Sequence, residues 1–224
     1  QVENCYYSSE CSLTSSRAEA KSKEQFSSGE VCFLLNNEVT DGSQAWYQTL
    51  GTDAYPQFSG KTVYYISEQG KKVYSNYDVP ALENGAYQLS NYGELVWFQQ
   101  YVDAGNVNIN AKLTSDIVAN ENLLDSSGNV QGTPKYNWIP IGMVYSKESD
   151  SYNGVFDGAG YSISGLYANG TGESWGFFSQ VYKCTIKNLS IVDSYFGGEN
   201  CSYVGTFIGI NVSNSLSLIH ISEP

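Results

Sequence analysis

The chain has 224 residues, 41% apolar and only 15% charged, and with 22 Gly and 19 Tyr it fits neither a disordered chain nor a charged helical bundle. Its 11 basic and 23 acidic residues leave a net charge of −12, which removes the electrostatic footprint that nucleic acid or an anionic membrane surface would need. No run approaches the roughly 18 apolar residues of a membrane span, so membrane insertion is not expected. The first residue is Gln1, not Met, and the missing leader is read as truncation, not as a cytoplasmic address.

Residues 1–16 hold Cys5-Tyr6-Tyr7 followed by polar punctuation and read as the end of a preceding repeat unit. Ser22-Lys23-Glu24-Gln25 fits a capping box. Phe26, Val31, Leu34 and Leu35 then suit one short amphipathic helix, or two broken near Gly29, ended by Asn36-Asn37. From Trp46 to Phe58 the composition is turn-like, with Gly51, Asp53 and Pro56. The runs 61–66 and 72–74 flank Glu68-Gln69-Gly70 and read as a hairpin. Residues 17–76 thus form a small α+β junction region, with the linker expected in 75–84.

Tyr87-Gln88-Leu89 is a short strand, and Asn91 with Glu94 supplies an N-cap for a helix at about 92–104. Its apolar stripe is Leu95, Phe98 and Val102, widened by Val96, Trp97 and Tyr101, and Gly105 closes it. The stretch 113–118 starts a strand, 119–135 is a polar loop, and Trp138 to Gly142 marks a turn against the core. From Gly154 onward, short apolar signals recur between Gly or Asn turns: 155–158, 161–167, 175–178, 185–192 and 203–209. Short strands with frequent turns and no intervening helix suggest a β-solenoid, in which each coil buries its apolar positions against its neighbours. A β-sandwich fits the periodicity almost as well. In the solenoid, Phe156, Ile163, Leu166, Phe178, Ile186, Leu189, Val204 and Phe207 point inward, and the helix at 92–104 caps the N-terminal end.

Gly154-Val155-Phe156-Asp157-Gly158-Ala159-Gly160-Tyr161-Ser162-Ile163-Ser164-Gly165-Leu166, then Gly176-Phe177-Phe178, Ile186-Lys187-Asn188-Leu189 and Val204 to Gly209, resemble the repeats of GLUG-motif bacterial surface proteins. Ser179 and Thr206 stand where that pattern has Gly. The resemblance covers roughly residues 87–210. It implies a right-handed parallel β-helix at 77–211, on long secreted or cell-surface proteins that include the N-terminal parts of some IgA-type metallopeptidases. The last run, 216–224, resembles a translated sequencing adapter, so 212–224 is read as a non-native tail; the alternative is a terminal strand alternating Leu and Ser.

The one histidine, His220, lies in that tail, so histidine-based triads, general bases and zinc-protease sites have no residue to work with. There is no HExxH, P-loop, dinucleotide fingerprint or Gly-x-Ser-x-Gly elbow. A carboxylate pair such as Asp150 and Asp157 is the remaining catalytic option, and Asp157, Asp193 or Glu199 the remaining calcium option, without DxDxDG spacing. The sole arginine, Arg17, lies outside the repeat region where a polysaccharide lyase would need it. Cys184 and Cys201 either face each other on adjacent layers or are small buried thiols; the odd total of five, with Cys5, Cys11 and Cys32, argues against a complete disulfide framework. Sequons at Asn169, Asn188, Asn200 and Asn211 are unsurprising in this composition.

No catalytic, cofactor-binding or metal-binding residue is therefore assigned, and no cofactor is expected. The expected function is a non-catalytic structural or adhesive repeat segment, extracellular at the cell surface, touching glycans or a host surface weakly and multivalently through aromatic side chains. The alternatives are a substrate-positioning part of a secreted enzyme such as an IgA-type metallopeptidase, or a β-helix carbohydrate-active enzyme.

Overall fold

The computed structural model describes residues 4–12, 14–38, 44–68, 71–76, 79–142 and 151–212, and the backbone of 217–222. Asp150 and the Gln69-Gly70 turn lie outside the described residues. The chain is mainly β, with 37% strand and 12% helix, and divides into two compact units: residues 1–66 with 72–79, and residues 67–71 with 80–224.

In the first unit, β1 (Tyr6–Ser8) pairs in parallel with β2 (Glu19–Lys21). The capping box forms: Ser22 Oγ accepts from the Gln25 N–H and Gln25 Oε1 accepts from the Ser22 N–H, which starts α1 (Lys23–Ser27). Gly29, at φ +92°, then breaks the helix, because a left-handed residue cannot continue it. A second helix, α2 (Glu30–Leu35), follows. Strands β3 (Val63–Glu68) and β4 (Lys71–Asn76) are neighbours in one sheet. The core forms around Cys32, Phe33 and Val63, with Trp46, Leu50, Tyr65 and Tyr74 against it.

The second unit is a β-solenoid of about four coils. Its first coil runs from β5 (Leu82–Glu83), which pairs antiparallel with β6 (Ala86–Leu89), through α3 (Tyr92–Asp103). The second holds β7 (Asn110–Leu113), β8 (Ile117–Val118) and β9 (Tyr136–Asn137), the last paired antiparallel with Ser67 and Glu68. The third holds β10 (Val155–Asp157), β11 (Ser162–Ser164), β12 (Tyr167–Asn169), β13 (Ser174–Trp175) and β14 (Phe178–Val181). The fourth holds β15 (Thr185–Val192), β16 (Tyr195–Gly197), β17 (Tyr203–Val204) and β18 (Ile208–Asn211), and β19 (Ser217–Ser222) lies beyond it.

Among the described residues every pairing between successive coils is parallel and in register, which excludes the sandwich. One column runs Tyr87, Ala111, Phe156, Ile186 and Leu218. A second runs Ile117, Ile163 and Ile191, and others stack Tyr167 on Tyr195, Trp175 on Val204 and Phe178 on Ile208. The core follows from alternation along each strand: Phe156, Ile163, Leu166, Phe178, Ile186 and Leu189 are fully buried, as expected. Phe177 stacks on Trp138 at 5.4 Å and meets Phe156 edge-on at 5.2 Å.

Two of the expected inward positions differ. Val204 is 52% exposed and Phe207 is half-buried. The physical reason is layering: β17 pairs with β13 on one side, and no described strand lies on its other side to cover these side chains. The stretch expected to start one strand at 113–118 is two, β7 and β8, cornered at Thr114 and Ser115, whose hydroxyls donate to the Leu89 and Ser90 carbonyls of the coil before. The tail read as non-native supplies β19, which pairs in parallel with β15.

Candidate functional site

Two of the carboxylates singled out as catalytic or calcium-binding candidates, Asp157 and Asp193, join one coil of the solenoid to another. Asp157 accepts from the Ala159 N–H and the Asn188 amide and lies 3.2 Å from Lys187 Nζ. Burial raises its pKa, but these three donors together hold its carboxyl below the usual aspartate value. Asp193 accepts from the Leu123 and Leu124 N–H groups with its two oxygens, at 2.8 and 2.7 Å. Glu199 is exposed. Asp116 takes the Ser162 N–H at 2.7 Å and its hydroxyl at 3.0 Å, bonds that keep its carboxyl below the ordinary value. Asp103 receives the Gly142 N–H, and Asn110 the Val155 N–H.

These groups lie at the corners, where the chain passes from strand to strand and backbone N–H groups leave the ladder. A short polar side chain satisfies them there, in most cases from another coil. Among the described residues no group of three or more His, Cys, Asp or Glu is placed to hold a metal ion. The five cysteines are free thiols. Cys184 is buried, which pushes its thiol up to about 12, and Cys201 places its Sγ 3.8 Å from the Gly170 carbonyl oxygen. A thiol so shifted carries almost no thiolate at neutral pH.

On the solenoid, Tyr161 and Tyr203 are exposed singly, while Tyr167 and Tyr195 stack on each other at 5.6 Å. A concave feature lies instead in the first unit: a pocket of about 630 Å³ walled by Tyr6, Phe26, Trp46 and Tyr55, with Asn4 and Asn37 beside them. That volume falls in the range of small-ligand sites. None of the described residues lining it is charged.

Each wall is placed by a buried amide or a short ladder. Asn36 closes α2 and fixes Trp46: its Nδ2 donates to the Cys32 and Trp46 carbonyls, and its Oδ1 accepts from the Ala45 and Trp46 N–H groups. Gln48, fully buried, donates to the Phe26 carbonyl at 2.8 Å and the Asp53 carbonyl at 3.0 Å. Tyr47 and Gln57 exchange both backbone hydrogen bonds, and Tyr55, in the loop between them, meets Phe26 edge-on at 5.3 Å. Asn4 donates to Asn37 Oδ1, which ties the strand carrying Tyr6 to the end of α2. Burial raises the Tyr6 phenol above its ordinary value against the opposing pull of Lys21, so its hydroxyl stays protonated at neutral pH. A second cleft of about 450 Å³ shares Asn4, Cys5 and Tyr6 and continues past Ser16, Arg17 and Glu19.

Sequence reasoning named none of this pocket. Its walls come from four separated stretches, and the only local signal was the density of aromatic residues in the turn-like segment from Trp46 to Phe58. Comparisons of the chain with protein-family models, with curated proteins and with solved structures return no match.

Proposed function

We propose that the chain is a non-catalytic structural or adhesive segment of a large bacterial cell-surface protein, of the GLUG-motif kind that its repeats resemble. The observation that supports this reading best is the use of the solenoid's polar side chains. Asp103, Asn110, Asp116, Asn120, Asp157 and Asp193 all reach backbone or side-chain donors outside their own strand or helix, so each is engaged in holding the fold. In this reading α3 closes the first coil, where an open end would leave apolar core in water. The solenoid then serves as a stiff spacer, and attachment comes from aromatic contacts repeated along a long protein. A chain of net charge −12 repels anionic sugars, so neutral glycans are the expected partners.

The experiment is affinity retention of the purified chain, single and tandem, on immobilised neutral and acidic glycans, with reducing-end release followed in parallel. Weak retention that grows in the tandem form without sugar release is the expected result. Sugar release abolished by Asp157→Asn would contradict it.

A further inference from the structure

We infer that the pocket of the first unit is the glycan-contact site of this chain and takes an uncharged oligosaccharide; this deepens the adhesive reading and rests on it. Four rings, Tyr6, Phe26, Trp46 and Tyr55, bound a space of about 630 Å³, and Tyr55 keeps 46% of its surface open. A pyranose has two apolar faces of C–H groups and a rim of hydroxyls. Aromatic walls match the faces, because the negative face of a ring attracts the polarised C–H hydrogens.

The polar groups at the wall match the rim. The bond from Asn4 to Asn37 uses one hydrogen of one amide and one oxygen of the other, so Asn4 Oδ1 and the Asn37 amide nitrogen keep acceptor and donor capacity. With the protonated Tyr6 hydroxyl they offer the mixed donors and acceptors that a sugar hydroxyl, itself both, requires.

Charge decides between ligand classes. Among the described residues the lining carries no cation to pair a carboxylate, phosphate or sulfate, and no anion to hold an amine. Lys21, whose ammonium stands 5.5 Å from the Tyr6 ring centroid, is already paired with Glu19 at 3.1 Å and Glu30 at 3.2 Å. The adjoining cleft along Asn4, Cys5 and Tyr6 adds Arg17 and Glu19, one charge of each sign and so no net charge, and gives the ligand room to continue, which favours an oligosaccharide over a single sugar.

The test uses the intact chain and its tryptophan fluorescence, titrated with maltohexaose, cellohexaose, xylohexaose and chitotetraose, and with sialyllactose as the acidic probe. At least one neutral probe should bind, and both Trp46→Ala and Tyr55→Ala should weaken it at least about tenfold. Tyr161→Ala, on the solenoid, should leave the binding unchanged. Circular dichroism checks each variant; the exposed Tyr55 ring keeps the question answerable where Trp46→Ala fails to fold. Neutral binding that survives Tyr55→Ala, equal or tighter binding of sialyllactose, or no response to any neutral probe overturns the assignment. Retention of glycans that is blind to the pocket variants would sink the pocket while leaving the adhesive reading standing; sugar release with pocket-dependent binding would do the reverse.

Discussion

Asn120 is 8% exposed, yet its amide makes four hydrogen bonds. Its Nδ2 donates to the Tyr136 and Gly165 carbonyls at 2.9 and 2.8 Å, and its Oδ1 accepts from the Lys135 and Tyr136 N–H groups at 2.9 Å each. It is a corner clamp that joins two coils, and Asn120→Ala is expected to cost about 2–3 kcal/mol in urea denaturation, because buried backbone groups would lose their partners. Opposite it, Gly165 sits at φ +71°, and a Cβ there would lie 1.8 Å from the Asn120 carbonyl oxygen. Gly165→Ala should therefore lose more than the about 1–2 kcal/mol of the left-handed penalty alone, read by the same denaturation. The carboxylate clamps add a pH dependence. Asp116 and Asp157 are held below the ordinary aspartate value, so the unfolded chain binds more protons than the folded one as the pH falls through that range. Stability present at neutral pH should be lost below about pH 4, and melting scans on Asp116→Ala should show a shallower acid loss from a lower starting point. Melting curves whose acid loss is identical in the variant would contradict the clamp. None of these clamps was legible in the sequence: Asn and Asp in a chain this polar read equally well as solvated turns, and only the register of the next coil shows what they hold.

Among the elements, α3 was the most legible, and the structure extends the reading. The expected stripe of Leu95, Phe98 and Val102 is fully buried, as is Trp97 in its widened part, and Gln99 and Gln100, outside the stripe, are nearly so. The helix is enclosed on most sides. Phe98 meets Phe156 at 5.8 Å and Tyr152 at 6.0 Å, and Trp97 meets Tyr87 at 4.9 Å. Phe98→Ala is expected to cost about 3–5 kcal/mol, because the ring is fully buried. A loss below about 1 kcal/mol in denaturant titration would show that the helix only decorates the coil. The hairpin-like strands and the broken helix at Gly29 were legible for a similar reason, since capping boxes and turn residues act over three or four positions. The pocket was not, because its walls meet only after Asn36 and Gln48 have bridged segments distant in sequence.

At the scale of the whole molecule, the account stands on parallel, in-register stacking. The repeat of apolar positions after Gly154 was readable because each coil must present the same inward residues to its neighbours. The coil from Ala111 to Phe156 was not, since the loop after β8 lengthens it beyond any fixed period. Val204 was misread for the opposite reason, because sequence pattern reports what a position suits and not whether another layer covers it. The measurement that reaches this claim most directly is a methyl NOESY spectrum of isoleucine-labelled protein, centred on the column Ile117, Ile163 and Ile191, all buried. Strands one coil apart lie about 4.8 Å from each other. Cross-peaks should link Ile117 to Ile163 and Ile163 to Ile191, with none of comparable strength between Ile117 and Ile191; loss of either neighbour peak, or a dominant Ile117–Ile191 contact, would contradict the solenoid.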